Sequence, residues 1–166
     1  MSYLKDTVVI GTVGAGYAAH LHASGYEKVN KVKVRLKTVC DLNQNLAQEL
    51  KEQYGYENIT ANYNDLLNDP EIDVVDIITP PFTHCDLAIK ALRAGKHVIV
   101  EKPLTGYFGK KGEQNVGLTT KRSVMYEEVL RSMDELKDEV ERSGKKFMYA
   151  AVSYTHLRAH ETVLDL

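Results

Sequence analysis

The chain has 166 residues, 43% of them hydrophobic and 27% charged, with a formal net charge of −2. Length and composition suit one packed α/β domain and exclude global disorder. The charge balance argues against a nucleic acid partner, which needs a cationic excess on one face.

Thr7–Val13 (TVVIGTV) is short, β-branched and almost wholly apolar, so it reads as a central strand buried on both faces. Gly14-Ala15-Gly16 breaks it, and Tyr17 to Ser24 reads as a helix of mostly small residues. Lys33–Cys40 alternates and then turns apolar, giving a second strand that Asp41 ends. Asn43 is placed to cap a helix from Gln44 to Tyr54. Ile59-Thr60 reads as a short third strand, followed by a small helix around Asp65 to Leu67, capped by Asn62 or Asn64 and stopped by Asp69-Pro70. Ile72–Ile78 is the fourth strand. Thr83 to Ala94 is a helix with Leu87, Ala88, Ala91 and Leu92 on one stripe and Gly95 at its end. His97–Val100 is the fifth strand.

The texture then changes. Leu104 to Lys121 holds four glycines, Gly106, Gly109, Gly112 and Gly117, and reads as a long loop, either an insertion near a site or an idle surface loop, the second slightly preferred. It contains GKKG but no GxxxxGK[ST], so it is no Walker loop. Ser123 is placed to cap a further helix, whose Met125, Val129, Met133, Leu136 and Val140 recur at spacings of 4, 4, 3 and 4 up to Gly144. Lys146 to Ala150 reads as a sixth strand. Strands alternate with helices at βαβ spacing, which predicts a mostly parallel, doubly wound α/β sheet.

No window approaches about 18 apolar residues, so no membrane span is expected. The N-terminus has no apolar leader, and Cys40 and Cys85 lack metal-ligand spacing. A reducing, cytoplasmic setting fits both.

Three segments carry chemistry. Gly14-x-Gly16-x-x-Ala19 follows a buried strand and opens a helix. The first glycine permits a tight turn, the second lets backbone approach a pyrophosphate, and Ala19 permits close helix–strand packing. The helix start offers free N–H groups to phosphates. A purely structural strand–helix turn explains the same residues equally well. Asp41 ends the second strand 25 residues after Gly16, where a dinucleotide site places an acid for the ribose hydroxyls. No Arg or Lys lies in Leu42 to Gln48, which favours NAD over NADP. As an alternative, Asp41 is a helix-capping turn residue.

The second segment, Ile78-Thr79-Pro80-Pro81-Phe82-Thr83-His84, leaves the fourth strand at its carboxyl end, beside the crevice of such a sheet. Its prolines stiffen it to wall a flat ring, or simply stop the strand. His84 reads blandly as an exposed first-turn histidine. The third segment, Glu101-Lys102-Pro103, reaches the same edge from the fifth strand. A lysine at an apolar crevice mouth is partly desolvated, which favours its neutral form, while Glu101 beside it favours the cation. Such a lysine donates to a substrate oxygen or moves a proton. Pro103 permits a cis bond. A solvated Glu–Lys pair is the alternative.

In this order the GxGxxA, the TPP…H loop and "AGKHVIVEKPL" resemble the N-terminal domain of the Gfo/Idh/MocA oxidoreductases, named for glucose–fructose oxidoreductase and inositol dehydrogenase, from about Thr7 to Leu104. The resemblance implies a Rossmann fold followed by a second α/β domain, and NAD(P)-dependent oxidation of a sugar or cyclitol hydroxyl, or the reverse. It places Gly14, Ala15, Gly16 and Tyr17 under the pyrophosphate and Asp41 on the adenosine ribose. It places Thr79, Pro80, His84 and Glu101 beside the nicotinamide, and makes Lys102 the catalytic lysine on the substrate hydroxyl. The expected cofactor is NAD rather than NADP. The expected partner is a small sugar or polyol, with no nucleic acid and no membrane, and a full-length protein able to form homo-oligomers. A non-catalytic NAD-binding sensor or scaffold is the alternative.

The expected organisation is a dinucleotide-binding domain over 1–150, with its Gly-rich loop at 104–122, truncated before a substrate and oligomerisation domain. The chain alone is then expected to be inactive. The tail 151–166, AVSYTHLRAHETVLDL, does not continue the family's pattern and resembles a translated adapter read-through. His156 and His160 in it have HxxxH spacing without an evident third ligand, so no metal site is assigned.

Overall fold

The computed structural model describes residues 6–110 and 112–150; the tail with His156 and His160 lies outside them. Six strands form one sheet in the order β3-β2-β1-β4-β5-β6. They are β1 (Thr7–Val13), β2 (Lys33–Cys40), β3 (Asn58–Thr60), β4 (Val74–Ile77), β5 (His97–Glu101) and β6 (Phe147–Ala150). Every pairing is parallel. The helices are α1 (Tyr17–Tyr26), α2 (Gln44–Tyr54), α3 (Tyr63–Asn68), α4 (His84–Arg93), α5 (Val116–Thr119) and α6 (Arg122–Ser143).

Strand alternation divides the core between the two faces. Val75 and Ile77 of β4 and Val98 and Val100 of β5 pack with Leu92 of α4 and Leu136 of α6. On the other face Val39 of β2 meets Ala19 and Ala23 of α1 and Ala47 and Leu50 of α2. Alanine along the buried stripe of α1 brings that helix close to the sheet, the use foreseen for Ala19, which is fully buried. Asn43 and Asn62 cap α2 and α3 through their side chains, accepting from the Asn45 and Asn64 amides.

The C-terminal third differs from expectation in detail. Part of the long loop is the helical turn α5. Ser123 is not the cap of α6; Lys121 holds that position without a side-chain bond. The helix gains its stability from tertiary packing, as its apolar stripe implies. Arg93 of α4 ties to it through a 2.8 Å bond to the Glu139 carboxylate. The Gly-rich segment is fastened beside the TPP turn: Phe108 meets Phe82 edge-on at 6.2 Å and Thr105 Oγ1 lies 3.0 Å from Ser132 Oγ.

The order reverses between β1 and β4. Val13 is in register with Ile77, and Ile77 with Val100. The segments after these residues, Gly14 onward, Ile78 onward and Glu101 onward, therefore leave the sheet side by side at one carboxyl edge. In an open α/β sheet this switch point is where ligands bind.

Candidate functional site

The glycine turn comes first in the chain. Gly14 has φ of +98° and donates its N–H to the Cys40 carbonyl at 2.8 Å. A Cβ on it would lie 2.4 Å from the Ile78 carbonyl oxygen. The first glycine is thus required by the approach of two strand ends. Gly16 is different: it is the N-cap of α1 with φ of −77°, and a Cβ there would meet nothing within 4 Å. No side chain caps this helix start. The open space and the uncapped first turn are what a bound pyrophosphate needs. Tyr17, 82% exposed, stands at the same point. The residues present fit a dinucleotide.

Asp41 reaches into this turn. Its Oδ2 accepts from the Ala15 amide at 2.7 Å and its Oδ1 from the Asn43 amide at 2.7 Å. The carboxylate therefore joins the end of β2 to the glycine turn, with lone pairs left on both oxygens for ribose hydroxyls.

Correction is needed at His84. It is fully buried, not an exposed first-turn residue. Its Nδ1 lies 2.8 Å from the Pro103 carbonyl oxygen and its Nε2 2.7 Å from the Thr79 carbonyl oxygen. The ring bolts the TPP turn to the EKP turn. Thr79 Oγ1 bonds to Thr83 Oγ1 at 2.7 Å, and Pro81–Thr83 form one 3-10 turn leading into α4, with Pro80 exposed ahead of it.

Glu101 is the last residue of β5, one beyond the strand end expected from the apolar run. Lys102 begins the loop and is exposed, and its bond to Pro103 is cis. Two expectations about this pair fail. The lysine is not desolvated, and the Glu101 carboxylate turns to other partners. Its Oε2 accepts the Lys102 amide at 2.9 Å, and its Oε1 lies 3.1 Å from His22 Nε2.

His22 leads to a network that the sequence reading missed. Its Nδ1 is 2.9 Å from Oδ2 of Asp76, a fully buried carboxylate of β4 that also accepts from the Tyr26 hydroxyl at 2.7 Å. Burial opposes a charge on His22, but the bonds and charges of Asp76 and then Glu101 outweigh it and raise its pKa to about 9. Burial, followed by the Asp76 charge, pushes the Tyr26 hydroxyl up, so it stays a donor. Two signals were available: one acid inside the apolar run VVDII, and a His and Tyr four apart on one helix.

This sets a pH dependence. A folded-state pKa of about 9 against 6.5 for an ordinary histidine means that protonation favours the fold. The contribution is complete below about pH 6.5, falls as pH rises, and is gone above about pH 9. Urea denaturation across that window is expected to show a loss of up to about 3 kcal/mol, absent when His22 is replaced by Gln.

The two thiols offer no nucleophile. Burial pushes Cys40 up to about 11 and Cys85 upward as well. Among the described residues no cluster of His, Cys, Asp and Glu could hold a metal ion, and no helix is long and apolar enough to cross a membrane.

Residues 8–129 match the profile of a family described as oxidoreductases with an NAD-binding Rossmann fold, GFO_IDH_MocA. The chain belongs to the Gfo/Idh/MocA family. Among its relatives, the levoglucosan dehydrogenase of Pseudarthrobacter phenanthrenivorans is 37% identical over 102 residues, covering 57% of this chain and 26% of its own. The myo-inositol 2-dehydrogenase of Thermotoga maritima is 31% identical over 96 residues, 58% of this chain and 28% of its own. A solved levoglucosan dehydrogenase in complex with NADH and levoglucosan superposes with a TM-score of 0.64 at 26% identity, over 87% of this chain and 35% of that one. An oxidoreductase domain protein from Kribbella flavida, TM-score 0.69 at 19% identity, covers 88% of this chain and 35% of its own and shares the fold. The chain thus spans about a quarter to a third of the length of these proteins. Both the fold and the family inferred from the three motifs hold.

Proposed function

We propose that the chain is the cofactor-holding part of a dehydrogenase that moves a hydride between NAD and a sugar or cyclitol CH–OH. The single observation that carries this is the convergence of the glycine turn, the TPP turn and Lys102 at the switch point of the sheet. The dehydrogenases named above, for levoglucosan and inositol, support the substrate class.

NAD, when bound, supplies the hydride acceptor. The chain's own groups do the rest. The uncapped start of α1 faces the pyrophosphate, with Gly16 leaving room for it. Asp41 accepts from the adenosine ribose hydroxyls, and its negative charge disfavours a 2′-phosphate. Thr79 and Pro80, set by the His84 bolt, wall the nicotinamide side with Glu101. The exposed Lys102 ammonium donates to the substrate oxygen and polarises it. Groups that hold the far side of the substrate belong to a second domain. The 166 residues alone should therefore bind NAD weakly and turn over little.

The test is a titration of the chain with NADH and NADPH, on the native sequence and on two variants. NADH should bind at least about 10-fold more tightly than NADPH, and Asp41→Ala should erase that preference. Lys102→Ala should leave NADH affinity within about 2-fold, yet abolish turnover when the chain is joined to a substrate domain. Equal binding of the two nucleotides by the native chain would overturn the role of Asp41. Turnover surviving Lys102→Ala would overturn that of the lysine, and NADH binding without turnover in the native chain so joined would favour a sensor.

A further inference from the structure

We propose that His22 is a positioning residue for the lysine of the site: it fixes Glu101, and Glu101 fixes the backbone of Lys102. The inference rests on the reading of Lys102 given above.

An unbroken line of bonds supports it. Tyr26 donates to Asp76, Asp76 holds His22 Nδ1, His22 Nε2 holds Glu101 Oε1, and Glu101 Oε2 accepts the Lys102 amide. The line starts at a carboxylate with no exposure and ends at the rim, and His22 and Glu101 are only 11% and 15% exposed. Partners this dry hold one geometry, because water does not compete for them.

The chain path adds meaning to the line. His22 sits on α1, the helix whose first turn faces the proposed pyrophosphate site. One rigid element thus touches both ends of the site: its N-terminus addresses phosphate, and its second turn holds the strand end that presents the lysine. Lys102 itself is exposed, and no described ion pair aims its ammonium group. What is restrained is its backbone, through the hydrogen bond that the Lys102 N–H donates to the Glu101 carboxylate. The groups facing His22 are Asp76 from β4, Glu101 from β5 and Tyr26 from its own helix, with Tyr56 close behind Asp76.

The experiment uses the 166-residue chain, its His22→Gln and Glu101→Ala variants and the double variant. The Lys102 amide is followed by NMR, and binding of NADH is compared with binding of ADP-ribose, which lacks the nicotinamide. The expected result is a displaced Lys102 amide resonance in His22→Gln. Because Glu101 also walls the nicotinamide side, its release should lower the extra affinity of NADH over ADP-ribose by about 10-fold, with ADP-ribose affinity unchanged within about 2-fold, whereas Lys102→Ala leaves both affinities intact. Glu101→Ala should give the same loss, and the double variant no more than either alone. In the native chain the Lys102 amide should also follow the titration of His22 near pH 9. This arm decides the matter should His22→Gln fail to fold. An unmoved Lys102 amide, or equal losses for NADH and ADP-ribose, would overturn the proposal. A native chain that binds neither ligand would sink the cofactor reading instead, and the amide response would still decide the positioning claim.

Discussion

Gly14→Ala is expected to destabilise the chain by about 2–5 kcal/mol, while Gly16→Ala leaves stability within about 0.5 kcal/mol and costs cofactor binding instead. The two glycines lie two residues apart and look interchangeable in a GxG motif. Their surroundings differ. At Gly14 a Cβ meets the Ile78 carbonyl oxygen at 2.4 Å, with φ at +98°, so both sterics and backbone conformation resist a side chain. The clash is with backbone at the end of β4, which cannot rotate away as a side chain would. At Gly16 φ is −77° and the position is open. An added methyl there meets nothing in the fold but would crowd the pyrophosphate proposed to approach the start of α1. NADH affinity should drop at least about 10-fold in Gly16→Ala. Urea denaturation and an NADH titration on both variants separate the two roles. Equal stability of the two, or native NADH binding by Gly16→Ala, would contradict the assignment.

Asp76→Ala should cost about 3–5 kcal/mol. The substitution leaves a histidine that carried a charge, and a buried tyrosine hydroxyl, without their shared acceptor. His22 would keep only Glu101, so its pKa should fall from about 9 and the stability loss across the alkaline window should shrink with it. Asp76→Asn, which keeps the shape and one acceptor, should cost less than the alanine. Denaturation of the two variants at pH 6 and pH 9 checks both statements. A neutral Asp76→Ala would mean that the network contributes nothing to the fold.

The sheet was legible because its strands are nearly continuous apolar runs with glycine, asparagine or aspartate between them. Those residues punctuate the chain for local reasons, as the side-chain caps of Asn43 and Asn62 show. The third of the chain after Pro103 was less legible. Nothing in Leu104 to Lys121 has a period, so α5 and the contact of Phe108 with Phe82 depend on tertiary packing alone. The site divides the same way. Gly14, Gly16 and Asp41 follow a spacing tied to one strand–turn–helix and are visible in sequence. The bolt at His84 reaches 19 positions on to Pro103, and the line from Tyr26 to Glu101 joins residues 50 to 79 positions apart. No local pattern announces such partners. The pairing of Glu101 with Lys102 was misjudged for a related reason. Neighbours in sequence at a strand end point to opposite sides, so Glu101 looks to α1 while Lys102 faces solvent.

The central claim is that three remote turns make one nicotinamide dinucleotide site. An NADH titration of the 166-residue chain, followed by NMR at the amides of Tyr17, Thr79 and Lys102, tests it most directly. All three should shift together and report one dissociation constant. Shifts confined to one turn, or no response at millimolar NADH, would contradict it.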